Sequence, residues 1–173
     1  MTKFVGLMAP LLVGLGLVAG ALAAGAEDDY GYGTTTAVTS TTVSTTGTTS
    51  SYSYKAFMTA KKEVPPPTAA ANAAGTFNAK VTEKNGTASI RWTLTFARLS
   101  GKAVAAHIHK GKAGVAGPVV VPLCGPCRNG QNKRQAIDED VAEALEKGGY
   151  YVNVHTAKNP AGEIRGQLKR VGR

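Results

Sequence analysis

The sequence has few of the residue types on which enzymes and nucleic-acid-binding proteins depend. Its 173 residues include three histidines, two cysteines and one tryptophan, and aromatic residues make up 6% of the total. Aromatic residues are sparse among the basic ones, so the sequence offers no stacking platform for single-stranded nucleic acid. It also contains no paired-carboxylate site, no nucleophile motif and no phosphate-binding loop. No enzyme class is therefore indicated by a motif of this kind.

Acidic residues are also scarce. The chain has 11 Asp and Glu residues against 20 Lys and Arg residues, which gives a formal net charge of +9. A protein of this charge attracts anionic partners such as an acidic polysaccharide, a phosphate-bearing polymer, a membrane surface or a nucleic acid. The alternative is a solvated basic surface with no specific partner. The export predicted below argues against nucleic acid.

The N-terminal segment has the pattern of a signal peptide. A positively charged start, Met1–Lys3, precedes the apolar run Phe4–Leu22, and small residues before Ala23 and Ala26 match the pattern that signal peptidase recognises. We predict that residues 1–26 direct export to the cell surface or the medium and are removed. No membrane span then remains. An uncleaved membrane anchor is the alternative, and Pro10 and five glycines within the segment disfavour it.

Residues 27–53 form a low-complexity, Thr/Ser-rich linker in this interpretation. From Thr34 to Ser51 the segment has no charge and almost no apolar periodicity. Such a segment cannot bury enough surface to offset its ordering entropy, so we expect disorder. Threonine also suits β-structure, and an edge strand is the alternative. The predicted organisation is a signal peptide at 1–26, a linker at 27–53 and one folded domain at 54–173.

Short alternating segments separated by turn residues begin at Tyr54. The Asn85-Gly86 pair predicts a hairpin turn, and Asp138–Lys147 is the one stretch with helical periodicity. These signals predict an all-β fold, an antiparallel β-sandwich with one short helix. The segment Thr87–Phe96 places its apolar residues on one face, which we expect in the core: Ala88, Ile90, Trp92, Leu94 and Phe96.

Two segments resemble the chordin (CHRD) domain. The first reads A-H-I-H-K-G from Ala106 and continues to G-P-V-V-V-P-L, ending at Leu123. The second reads Y-V-N-V-H-T from Tyr151 and continues through N-P-A-G-E-I-R-G-Q-L to Leu168. The Glu63-Val64-Pro65-Pro66 segment and the helix before Tyr150 also fit. The resemblance covers about 120 residues.

The resemblance implies an immunoglobulin-like β-sandwich in a secreted or surface protein, here similar to exported single-domain members of bacterial type. The family is named after an extracellular antagonist of growth-factor signalling in animals, and that role does not transfer to a chain of this organisation. The expected function is a non-enzymatic binding or structural role at the cell surface. The expected partner is an anionic cell-surface polymer or an extracellular protein.

All three histidines lie in these two segments. His107 and His109 are two residues apart on one predicted strand, so their side chains point to the same face, about 6.5–7 Å apart at the α-carbons. His155 lies on a strand of the second segment and can face them. Three imidazoles in this arrangement can bind Zn or Cu, and a Cu site can be redox-active. The alternative is that they are buried structural residues that hydrogen-bond the backbone or neighbouring side chains.

Asn153, Glu163 and Arg165 are further candidates near the histidines. Glu163 and Arg165 stand two residues apart in the last predicted strand. They can orient a histidine or hold an anion, or they can form an ion pair that locks two strands. Asn153 alternates with His155 on its strand and is a candidate hydrogen-bond partner.

Cys124 and Cys127 enclose Gly-Pro, which gives the active-site tetrapeptide of thioredoxins. In a thioredoxin this tetrapeptide must open a helix, whose N-terminus stabilises the thiolate. Here it runs into turn sequence from Arg128 to Lys133, with no βαβ order around it. We therefore predict a disulfide that staples an exposed loop in an oxidising compartment. Thiol–disulfide exchange and metal binding by the thiolates are the alternatives.

Overall fold

Alternation of apolar and polar residues builds the strands of this protein. The computed structural model describes residues 47–68 and 70–172, and these contain nine strands, one short 3₁₀ turn at Ala60–Lys62 and one α-helix. The elements in chain order are β1 (Thr49–Thr59), β2 (Ala74–Lys84), β3 (Thr87–Ala97), β4 (Ala103–Lys110), β5 (Val119–Cys124), β6 (Gln131–Ile137), α1 (Glu139–Glu146), β7 (Tyr150–Thr156), β8 (Ile164–Gln167) and β9 (Lys169–Val171).

The strands form one nearly closed antiparallel sheet in the order β5-β4-β7-β8-β1-β2-β3-β6, with β9 paired to β1. The link between β8 and β1 is a single residue pair, Thr59 with Arg165. The sheet is thus two four-stranded halves joined at a narrow seam. Gln135 on β6 donates a 2.7 Å hydrogen bond to the Pro122 carbonyl on β5, which ties the two ends of the order together. The predicted antiparallel β fold with one short helix is confirmed.

The core lies between the two halves. Phe77 and Trp92 from β2 and β3 pack with ring centroids 6.1 Å apart, and Ile108, Val152 and Ile164 reach the same cluster from β4, β7 and β8. All five are at most 1% exposed. Burying side chains of this size stabilises the fold by about 1.5–3 kcal/mol each, which makes this cluster the main source of stability.

The predicted core face of β3 is largely confirmed. Ala88, Ile90, Trp92 and Leu94 are buried, whereas Phe96 near the strand end is half-buried. The alternation is thus a good guide in the middle of the strand. It weakens at the end, where fewer neighbours cover the side chain.

The β2–β3 hairpin turns at Asn85-Gly86, as the sequence predicts. Both residues have positive φ, 50° and 71°, which is the left-handed conformation required by a two-residue type I′ turn. Asn and Gly adopt this conformation at little cost, so the turn fixes the register of an eleven-pair ladder from Lys84–Thr87 to Ala74–Ala97.

Helix α1 falls within the predicted range 138–147. Asp138 takes the N-cap position with an extended backbone, but its side chain makes no capping hydrogen bond. Ala142 and Leu145 are buried and anchor the helix to the core. Gly148 and Gly149, both with positive φ, end the helix as expected.

Two sequence predictions are corrected by the described residues. Strand β1 begins at Thr49, so residues 49–53 of the predicted linker are strand. All five of these residues pair with β2, from Thr49 with Lys84 to Ser53 with Lys80. The predicted turn after Cys127 also ends early, because β6 begins at Gln131 and pairs with β3.

The signal peptide at 1–26 and the linker up to residue 46 lie outside the described residues. Within the described part of the chain, no helix has both the length and the hydropathy to cross a membrane.

Candidate functional site

Strand β7 is buried on both faces along its whole length. Val152 and Val154 face the core, while Tyr151, Asn153 and His155 face the other way. An outward face of a sheet half usually meets water, but here the chain segments at 111–118 and 60–66 contact the residues of this face. The result is a buried layer of polar side chains outside the core.

The pairing of β4 with β7 brings the three histidines together. His107 lies opposite Asn153 and His109 lies opposite Tyr151. The ring centroids of His107 and His155 are 4.9 Å apart, and His109 lies 5.6 Å from His107 and 6.3 Å from His155. One nitrogen from each ring can be chosen so that all three lie within 4.8 Å of one another. The predicted convergence of His107, His109 and His155 is present.

Two backbone carbonyls fix the orientation of two of these rings. His109 Nδ1 lies 2.8 Å from the Gly117 carbonyl oxygen, and His155 Nδ1 lies 2.9 Å from the Pro160 carbonyl oxygen. A carbonyl only accepts, so each Nδ1 carries the proton and donates it, which leaves the lone pair of each neutral ring on Nε2. A backbone partner of this kind is the usual support of a metal-binding histidine.

The two Nε2 atoms have different surroundings. His155 Nε2 lies 3.1 Å from His107 Nδ1. His109 Nε2 is buried and has no hydrogen-bond partner among the described residues. A buried acceptor without a partner costs about 1–3 kcal/mol, and a bound cation offsets that cost. If the three histidines were only buried structural residues, hydrogen bonds should satisfy their ring nitrogens. His109 Nε2 does not fit that alternative.

Burial favours the neutral form of two of the three rings. Burial, with smaller contributions from the nearby His155 and His109 rings, lowers the pKa of His107 to about 4. Burial also lowers the pKa of His155, against a smaller opposing effect of its bond to Pro160. Neutral imidazole is the form that binds metal ions.

The three nitrogens fit a transition metal. Zn–N bonds of about 2.0–2.1 Å in a tetrahedral site place neighbouring ligand nitrogens about 3.3 Å apart. The 3.1 Å His107–His155 separation already matches, and the 4.8 Å limit for the set requires only small ring movements. His107 is half-buried, whereas His109 and His155 are 8% and 9% exposed, so one side of the cluster remains open. An open fourth position suits water or an exogenous ligand.

Glu163 faces away from the histidines and holds the turn behind His155. Its fully buried carboxylate accepts hydrogen bonds from the Ser100 amide at 2.5 Å, the Ser100 hydroxyl at 2.6 Å, the Thr156 hydroxyl at 2.5 Å and the Asn159 side chain at 2.8 Å. Burial alone would raise its pKa, but these hydrogen bonds outweigh burial and lower it. The turn that they fix carries Pro160, which orients His155.

Arg165 has different partners from Glu163. Its Nη2 donates to the Lys112 carbonyl at 2.9 Å and the Val115 carbonyl at 2.8 Å, and its guanidinium lies 3.4 Å from the centre of the Tyr151 ring. Neither residue appears among the hydrogen-bond partners of the other, so the predicted ion pair between them is not formed. The two side chains stabilise different loops.

Asn153 and Glu63 lie beside Arg165 in the polar layer. Asn153 is 2% exposed, and its Oδ1 has no partner among the described residues. Burial raises the pKa of Glu63 to about 7, against opposing effects of the Arg165 charge, the Val64 amide and Asn153. A Cβ at Gly162, where φ is 136°, would collide with the Glu63 carboxyl. Glycine at this position thus lets the turn approach Glu63.

The two cysteines form a disulfide, with Sγ atoms 2.09 Å apart and α-carbons 5.2 Å apart. Cys124 ends β5, and the chain after Cys127 leads into β6 rather than into a helix. The helix that a thioredoxin site requires is absent from this part of the structure. The disulfide therefore closes the loop between β5 and β6, as predicted.

Several residues of this layer were not predicted from the sequence. Tyr151 alternates with Asn153 and His155, so the two-residue period could have placed it on the same face. Glu63 was noted only as part of the family resemblance. The Gly117 and Pro160 carbonyls belong to the backbone, so no side-chain pattern in the sequence could indicate that they orient the histidines.

The fold and the site together define a small all-β domain with a buried cluster of three imidazoles. A family model described as the CHRD domain matches residues 54–168, which is more than half of the chain. The chain therefore belongs to the CHRD-domain family, and the resemblance noted from the motifs is confirmed. CHRD domains are small β-domains of uncertain role that occur in extracellular or secreted proteins. No curated protein and no solved structure matches the chain.

Proposed function

We propose that this chain is an exported, non-enzymatic binding module whose CHRD domain binds one transition-metal ion, Zn or Cu, through His107, His109 and His155. The observation that carries the proposal is the orphaned lone pair of His109 Nε2, which is buried beside two further imidazoles. The ligand atoms are His109 Nε2, His155 Nε2 and His107 Nδ1. Without metal, His107 Nδ1 donates its proton to His155 Nε2 at 3.1 Å. Metal binding therefore requires that His107 carry its proton on Nε2 instead.

The surroundings support a binding role rather than catalysis. No carboxylate joins the three histidines in the described cluster, so no general base is in place beside the open position. The supporting carbonyls belong to loops held by Tyr151 and by the Glu163 network. A ligand set supported in this way needs only ring movements, and no change of the backbone, to bind an ion.

The experiment is a thermal melting scan of the untagged domain with and without Zn(II) and Cu(II). Because metal binds only the folded arrangement, a concentration 100 times Kd should stabilise it by about 2.7 kcal/mol and raise the melting temperature. The chain contains no other histidine, so no second imidazole site competes. His107→Gln, His109→Gln and His155→Gln should each abolish the shift.

Val154→Ala is the matched control. Val154 is on β7, next to His155, but faces the core, so its loss lowers the melting temperature and leaves the ligands in place. The metal shift should persist in this variant. The proposal fails if neither metal shifts the wild type, or if the shift survives in all three Gln variants.

The export part of the proposal rests on the leader-like pattern of residues 1–26 and on a disulfide that suits an oxidising compartment. The mature protein should begin after Ala23 or Ala26. Intact mass of the protein recovered outside the cell tests this, and a mass that retains the first 26 residues contradicts cleavage.

A further inference from the structure

A cavity of about 490 Å³ opens on the outer side of the sheet, near the seam between its two halves. It lies where β1, β8 and β9 meet, close to the single pair that joins β1 to β8. Its volume is within the range of small-molecule sites. Its lining includes Lys55, Phe57, Lys62, Glu63, Arg165 and Lys169.

The lining is strongly cationic. Four lysines and Arg165 contribute positive charge against one carboxyl group, that of Glu63. Lys55 on β1 lies directly opposite Lys169 on β9. Like charges in directly opposed positions destabilise a sheet, so this pair costs stability until an anion lies between the two ammonium groups.

Arg165 adds a fixed charge at the inner wall. It is 2% exposed, and its Nη2 atom is held by two carbonyls while its guanidinium stacks on Tyr151. The carboxyl group beside it is that of Glu63, whose pKa the Arg165 charge lowers against the larger opposing effect of burial. A buried cation is costly unless its charge is well compensated, and an anionic ligand group would add to the compensation.

Glu63 and Phe57 distinguish this cavity from a plain anion site. Glu63 is 5% exposed and lines the cavity with its carboxyl group. Phe57 is 60% exposed, with the Lys55 ammonium 4.6 Å from its ring centre. The cavity therefore offers cations, one carboxyl group and an aromatic face.

We propose that this cavity binds an acidic saccharide, as part of an anionic polysaccharide. The sugar carboxylate lies among Lys55, Lys169 and Arg165, a sugar hydroxyl donates to the Glu63 carboxyl group, and the C–H face of the ring packs on Phe57. A polyphosphate would satisfy the cations but carries no hydroxyl along its chain for Glu63. The site is separate from the three histidines and does not depend on a metal.

The test is calorimetric titration of the mature protein, in a chelator, with oligogalacturonate, with neutral malto-oligosaccharide and with polyphosphate. Oligogalacturonate should bind and the neutral sugar should not. The double variant Lys55→Gln/Lys169→Gln should weaken oligogalacturonate binding about tenfold or more, because it removes two charged hydrogen-bond donors to the sugar carboxylate. Both lysines are outside the core, so the variant should fold.

Lys80→Gln/Lys133→Gln is the matched control, since it removes the same charge from exposed positions on β2 and β6. It should leave the affinity within about twofold. Phe57→Ala should weaken oligogalacturonate binding and leave any polyphosphate binding unchanged. His109→Gln should bind the saccharide like the wild type, so failure of the metal proposal leaves this one standing.

Three results would overturn the proposal. The first is an equal loss of binding in the control pair and the cavity pair, which would mean that net charge alone attracts the polymer. The second is polyphosphate binding as tight as that of oligogalacturonate, with the same dependence on Lys55 and Lys169. Absence of oligogalacturonate binding to the wild type at low salt refutes the site directly.

Discussion

His109 stacks on Tyr151 with ring centroids 4.8 Å apart and an angle of 8° between the planes. The same two side chains meet again at Gly117. The Gly117 amide donates to the Tyr151 hydroxyl at 3.2 Å, and the Gly117 carbonyl accepts from His109 Nδ1 at 2.8 Å. A Cβ at Gly117 would collide with the Lys110 carbonyl, so glycine allows the loop to close on both rings.

The stack and the hydroxyl contact of Tyr151 can be separated by mutation. Tyr151→Phe keeps the ring and loses the bond to Gly117, and we expect a loss of about 0.5–1.5 kcal/mol in the free energy of unfolding. Tyr151→Ala also removes the buried ring and should cost about 3–5 kcal/mol. Urea denaturation at pH 7 measures both. Equal losses in the two variants would mean that the ring contributes nothing beyond the hydroxyl.

Phe57→Ala is the control for this pair of variants. Phe57 is an aromatic residue on the same side of the fold but is 60% exposed. Its replacement should change the free energy of unfolding by less than about 0.5 kcal/mol. A large loss at Phe57 would show that ring removal is costly anywhere on this surface.

Glu163 should be a positioning residue for His155 rather than a ligand. In Glu163→Gln the new amide group must face donors at Ser100 and Thr156, so we expect the free energy of unfolding to fall by about 2–4 kcal/mol. Because the turn carrying Pro160 loosens, metal affinity should fall while stoichiometry stays at one. Denaturation and metal titration check the two effects, and an unchanged affinity in a folded variant contradicts the positioning role.

Glu143→Gln makes the same chemical change on the exposed face of α1. It should change the free energy of unfolding by less than about 0.5 kcal/mol. The metal affinity should stay the same.

The parts of the fold that local pattern determines could be predicted from the sequence. The Asn85-Gly86 turn and the two-residue period from Thr87 to Phe96 are local signals, and both predictions hold. Strand β6 was missed because it is an exposed edge strand with few apolar residues. Its pairing with β3 depends on the rest of the sheet, so no local sequence pattern predicts it.

The site was partly predictable for the same reason. A shared face for His107 and His109 follows from their spacing, whereas the approach of His155 depends on the register between β4 and β7. The partners of Glu163 and Arg165 also depend on register and loops. Glu163 precedes β8 and meets Ser100 from a distant segment, which the spacing of two residues could not indicate.

The disulfide should contribute little to stability. It closes a loop with a sequence separation of three, and the entropy removed from the unfolded chain by so short a loop corresponds to at most about 2 kcal/mol. Cys124→Ala with Cys127→Ala should therefore fold normally, with the same circular dichroism spectrum. Thiol labelling of the native wild type should find no free cysteine. Two labelled cysteines, or an unfolded double variant, would contradict the staple.

The pH dependence of stability should reveal two opposing groups. The pKa of His107 falls from 6.5 in the unfolded chain to about 4 in the fold, and the pKa of His155 also falls. The unfolded chain therefore binds more protons between pH 6.5 and 4, and acidification through this window destabilises the protein. Because solvent screens the half-buried His107 ring, we expect a loss on the order of 2 kcal/mol, which is less than the full pKa shift would give.

Glu63 acts in the opposite direction, because burial raises its pKa from 4.5 to about 7. The folded chain binds this proton below pH 7 and the unfolded chain only below 4.5, so Glu63 adds stability as the pH falls through that window. In Glu63→Gln this contribution disappears, and acidification from pH 7 to 4.5 should lower the urea midpoint more steeply than in the wild type. Parallel profiles would show that Glu63 does not titrate with a raised pKa. Glu143→Gln should follow the wild-type profile, because Glu143 is exposed on α1 and outside the polar layer.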